Sequence, residues 1–99
     1  MEKATVLLNR SVIPDYEDIK WRDELKKYGL SVNFLFDGGV QLIYDSDRYD
    51  ARVIGQDSVE FYDTKTKTLA ISYIENFGNI EFYIKSEKDP ILRIPILDL

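Results

Sequence analysis

The 99-residue chain contains no cysteine and no histidine, and each absence removes chemistry. Without Cys there is no disulfide, thiolate metal site, iron–sulfur ligation or cysteine nucleophile, so the fold must be held by a core and not by covalent staples. Without His there is no side chain that titrates unaided near neutral pH. Ser-His-Asp and Cys-His machinery is impossible, and the imidazole ligands of the common catalytic zinc sites are missing. Apolar runs are short, Val6-Leu7-Leu8 among them, far below the roughly 20 residues of a membrane span. The first ten residues include Glu2 and no long apolar segment, so no signal peptide is expected and Met1 reads as the native start. Glycine is scarce, five in all, and the adjacent pair Gly38-Gly39 sits where a hairpin needs it, which leaves no phosphate-cradling loop.

What remains is globular composition: 44% hydrophobic, 13% aromatic, and a formal net charge of −5. One domain spanning 1–99 is expected, soluble, and either intracellular in a host cytoplasm or virion-associated. Acids outnumber bases by 18 to 13, which argues against a nucleic-acid partner. A local basic rim from Lys65, Lys67, Lys85 and Lys88 is expected to be neutralised by the neighbouring acids of Asp45, Asp47 and Asp50.

Residues 3–8 read as a first strand. Pro14 and Asp15 ahead of Tyr16-Glu17-Asp18 are a helix start, and Lys26-Lys27 followed by Gly29 are its end, which predicts one amphipathic helix over about 15–28 with Trp21, Leu25 and Tyr28 on its apolar stripe. From Leu30 the period switches to two. Leu30–Phe36 and Val40–Tyr44 form a hairpin around Asp37-Gly38-Gly39, and short strands follow at 51–54, 58–63, 69–74 and 80–85. The tail 91–99 carries six Ile or Leu in nine residues, and Pro95 restricts it to an edge strand or strap. The fold class is therefore α+β, in β-α-β-β-β-β order, with a single helix packed on one face of an antiparallel, meander-like sheet.

No catalytic, cofactor-binding or metal-ligating residue is assigned. Asp45-Ser46-Asp47-Arg48-Tyr49-Asp50 resembles a cation loop, but a calcium loop of the EF-hand type would need Gly where Asp50 stands and a bidentate Glu where Gln56 stands. The sequence favours a solvated turn. Tyr62 and Tyr83 are out of phase with Phe61 and Phe82, so they belong to the sheet face away from the core, where Ile43 and Ile74 are expected to join them. That face is more apolar than a solvated one requires, which marks an interaction surface.

The strand and helix order resembles the cystatin family, in which a helix is wrapped by an antiparallel sheet and a Gln-x-Val-x-Gly hairpin inhibits cysteine proteases. The nearest stretch here, Gln56-Asp57-Ser58-Val59-Glu60, has a different spacing and no glycine, so the resemblance implies the fold and not the inhibition. With one Met, no Cys, two Gln and eleven Ile, the chain also resembles the small orphan proteins of filamentous viruses infecting hyperthermophilic archaea. That resemblance implies a compact protein serving in a virion or engaging a host protein.

The expected function is a non-enzymatic interaction or structural module, viral or from a mobile element. It would act through Ile43, Tyr62, Ile74 and Tyr83 and through the tail residues Leu92, Ile94 and Ile96, with a homodimer formed by strand addition and a host protein as a further partner. The alternative is an acidic inhibitor that blocks a basic nucleic-acid-binding site of a host protein through Asp45, Asp47 and Asp50. A carboxylate-dependent hydrolase would require a concave site holding two acids of divergent pKa.

Overall fold

Period-two alternation and Gly- or Asx-containing turns make this chain mostly strand. The structure, a computed structural model, describes residues 2–9, 21–35, 38–76, 78–85 and 87–96. Within them run β1 (Lys3–Leu8), α1 (Trp21–Lys26), β2 (Leu30–Phe34), β3 (Val40–Asp45), β4 (Tyr49–Ile54), β5 (Ser58–Asp63), β6 (Leu69–Asn76), β7 (Asn79–Ile84) and β8 (Leu92–Pro95). Antiparallel sheet with one short helix among the described residues places the protein roughly in the α+β class. The part of the helix expected over 15–20 lies outside the described residues, as do Met1, Asp37 and Leu97–Leu99.

The single meander expected from the sequence is two sheets. β1, β3 and β2 form one, in that spatial order, and β4 to β8 form the other in chain order. The division falls at the acidic turn. Arg48 N–H donates to the Asp45 carbonyl at 3.1 Å, and Asp47 N–H donates to Asp45 Oδ1 at 3.0 Å, which closes a tight Asx turn. Ser46 N–H then donates to the Glu2 carbonyl at 3.0 Å, while Thr64 donates from its N–H to the Arg48 carbonyl and from its Oγ1 to the Asp47 carbonyl. The backbone groups of the corner are thus satisfied from both sheets and not by a β3–β4 ladder, and the chain crosses from the centre of one sheet to the edge of the other.

The inner faces of the two sheets share one core. Val32 and Leu42 from the first and Phe61, Tyr73, Phe82 and Ile94 from the second are all at most 1% exposed. The rings of Tyr44 and Phe61 meet edge-on at 5.2 Å across the join. Trp21 and Leu25, one helical turn apart, bring α1 into the same core, where the helix lies against β2 and β8. Gly29, at φ +75°, ends the helix, and its N–H donates to the Lys26 carbonyl. The Tyr49 hydroxyl donates to the Tyr28 carbonyl at 2.6 Å and ties this terminus to β4.

The tail completes the second sheet. β8 pairs antiparallel with β7, which sets Leu92 opposite Phe82, Ile94 opposite Ile80 and Pro95 opposite Asn79. As the outermost strand it tolerates Pro95, which has no N–H to give. Leu92 and Ile96 pack against the core that Ile94 enters.

Candidate interaction face

Strand registers determine which side chains share the outer face of the five-stranded sheet. One cross-strand row runs Ile54, Ser58, Ile74, Glu81, Arg93, and the next runs Arg52, Glu60, Ser72, Tyr83. A third begins Asp50, Tyr62 and continues with Leu69. Leu69 joins it because the β5–β6 register shifts at Phe61/Tyr62; the extra residue, Ala70, packs toward the core and turns Leu69 outward.

Small residues beside large ones make this face concave. Ser58 and Ser72 are flanked by Ile54, Leu69, Ile74 and Tyr83, and they line a shallow depression of about 420 Å³. Glu60, Glu87 and Lys85 also line it. Tyr62 donates its hydroxyl to Glu60 Oε1 at 2.9 Å and carries the Arg52 guanidinium 5.0 Å above its ring. The bond to Glu60 holds the Tyr62 phenol above its ordinary pKa.

Glu81 is the buried charge of this face, at 3% exposure. It accepts hydrogen bonds from Arg93 Nε at 2.9 Å, Tyr83 Oη at 3.2 Å and Asn76 Nδ2 at 3.3 Å. Desolvation pushes its pKa up, but the bonds from Arg93, Asn76 and Tyr83 together outweigh that push and leave the carboxyl below the ordinary range. An acid so held stays ionised at neutral pH and has no proton to donate there. Burial and the bond to Glu81 raise the Tyr83 phenol. The sequence carried a signal for these pairs that was missed. Glu60-x-Tyr62, Tyr73-x-Glu75 and Glu81-x-Tyr83 recur on successive strands, and residues two apart in a strand share a face, so each tyrosine reaches its own glutamate.

The structure brings Tyr62, Ile74 and Tyr83 together on this face. Ile43 is elsewhere, in the three-stranded sheet between Thr5 and Ser31. There it lines a separate cleft of about 350 Å³ with Lys3, Lys26 and Tyr44. Leu92, Ile94 and Ile96 pack with their own core and so do not form part of the outer face, because β8 follows the parity of β7 and directs its apolar side inward. Of the acidic loop, Asp45 holds the turn, Asp47 Oδ2 accepts the Glu2 N–H at 3.3 Å, and Asp50 stands exposed on the outer face of β4. Among the described residues no cluster of three or more acids is arranged to hold a metal ion, and no helix is long and apolar enough to cross a membrane. No protein-family model, curated protein or solved structure matches the chain.

Proposed function

We propose that the protein is a non-enzymatic interaction module that docks a partner protein on the outer face of its five-stranded sheet. The observation that carries this reading is the depression floored by Ser58 and Ser72 and walled by Ile54, Leu69, Ile74 and Tyr83. Concave apolar surface beside tyrosine is what protein interfaces use, since tyrosine adds large contact area at little conformational cost and keeps a polar tip. The rim defines the partner's chemistry. Two carboxylates, Glu60 and Glu87, face one cation, Lys85, so the site suits a segment presenting apolar side chains together with a Lys or Arg whose stem lies along Ile54 and Ile74. The tail supports the reading indirectly, because it closes the core and leaves the outer face to do the binding.

A photo-crosslinking amino acid placed at Tyr83 tests this in the cells that produce the protein. A discrete protein adduct is expected from that position, absent when the probe sits at exposed Thr66, and lost when Ser72→Tyr fills the depression. No adduct above the Thr66 background would overturn the assignment.

A further inference from the structure

Each sheet has two outer strands, and the protein treats them differently. In the three-stranded sheet α1 lies against β2. In the five-stranded sheet β8 has only four residues, carries Pro95 and also touches α1. Short length, proline and a covering helix are the usual devices that keep an edge from pairing with another chain. Among the described residues β4 has none of them. It runs six residues without Pro, Lys or a bulge, and no described strand pairs with its free edge. Val53 on one face and Ile54 on the other are 51% and 42% exposed.

Symmetry and charge select what such an edge can pair with. A two-fold axis perpendicular to the sheet gives an antiparallel pair and keeps inner faces on one side, so each residue must meet a residue of its own parity. Two registers then engage five residues of β4. One sets Arg52 against the Arg52 of the mate, a repulsive pair. The other sets Asp50 against Arg52 twice, Ala51 against itself, and exposed Val53 against Tyr49. In the second register the outer-face row reads Glu60, Arg52, then Asp50 and Tyr62 of the other copy, with charges alternating in sign across the join. β1 is also an outer strand, but its outward residues Lys3, Thr5 and Leu7 offer no opposite-charge pair to fix a register.

We propose that β4 pairs antiparallel with β4 of a second copy, Asp50 opposite Arg52, and joins the two five-stranded sheets into one. The pairing is independent of docking at the outer face: it uses the main-chain edge of β4, whereas docking uses side chains around Ser72.

The absence of cysteine makes the register directly readable. Paired residues in an antiparallel ladder have Cα atoms about 4.5–5.5 Å apart, within reach of a disulfide. Ala51→Cys is expected to give a disulfide-linked dimer on oxidation, whereas Arg52→Cys and Val53→Cys are expected to give none. Light scattering should return twice 11.6 kDa for the parent chain. Arg52→Asp should weaken the dimer at least tenfold, and Asp50→Arg with Arg52→Asp should return it to within about threefold of the parent. Circular dichroism and thermal melts confirm that each variant is folded. A monomeric parent, a cross-link at 52 or 53 in place of 51, or an Arg52→Asp dimer of undiminished affinity would each overturn the proposal. Ser72→Tyr, which blocks docking, should leave the mass unchanged, so failure of one reading is distinguishable from failure of the other.

Discussion

Glu81 stays ionised at 3% exposure because three donors converge on it, and that arrangement gives the protein an acid-sensitive joint. A carboxyl whose pKa is lower folded than unfolded contributes stability that is complete above its unfolded value, about 4.3, and is lost as pH falls through the folded value. Glu81→Gln should therefore cost about 1–2 kcal/mol at pH 7, since the charge-assisted bond to Arg93 is lost while Gln still pairs with Asn76 and Tyr83. Urea midpoints measured from pH 7 to pH 3 should fall less steeply for the variant; parallel curves would reject the assignment. Gly29 and Gly78 show a backbone effect at the same scale. Both have positive φ, +75° and +81°, and a Cβ at Gly29 would make only ordinary contacts, 3.4 Å from Arg48 Nη1 and 3.8 Å from Tyr49 Cε2, while at Gly78 it would meet nothing within 4 Å. Gly29→Ala and Gly78→Ala should therefore each cost about 1 kcal/mol from the left-handed backbone alone. Chemical denaturation of the two variants checks that they match.

At the scale of elements, the strands and the pairing of β2 with β3 and of β5 through β7 were legible, and the division into two sheets was not. β1 and β5 begin and end where alternation and turn residues place them, and α1 ends at Lys26, about two residues short of the expected end, with Gly29 closing the turn that follows. Those signals are local: side-chain period, positive φ, an edge-tolerant proline. The division into two sheets is not local. The stretch Asp45–Asp50 reads as an ordinary polar turn, and only its hydrogen bonds to Glu2 and Thr64 show that it is a corner. The candidate face was legible to the same degree. Parity alone unites Tyr62, Ile74 and Tyr83, but parity cannot reveal that Ile43 belongs to another sheet or that a bulge opposite Tyr62 turns Leu69 outward. The tail, read as an edge strand or strap, forms the edge strand β8 over Leu92–Pro95, while its apolar side serves the protein's own core. Ile94→Ala should accordingly cost about 2–5 kcal/mol, and Leu7→Ala, at a side chain 54% exposed, well below that range, because truncating a side chain with 1% exposure leaves a cavity in the core. Equal destabilisation in thermal or chemical melts would contradict this placement.

For the molecule as a whole, the two sheets differ in how far apart along the chain their pairings lie. Every ladder of the five-stranded sheet joins strands adjacent in sequence, whereas β1 pairs with β3 across α1 and β2, with Leu8 opposite Val40. Closing a longer loop costs more chain entropy before any contact is gained. Native-state hydrogen exchange should therefore find the most protected amides in β5, β6 and β7, and earlier opening in β1; uniform protection across both sheets would contradict it. The same asymmetry has a consequence for how the protein is made. Synthesis delivers β1 first, yet the strand it needs, β3, emerges only after the helix and β2. Until then Val6 and Leu8 and a full row of main-chain donors and acceptors wait unpaired outside the ribosome. β1 is thus exposed to misassembly until Val40–Asp45 has followed it, a wait that no strand of the five-stranded sheet shares.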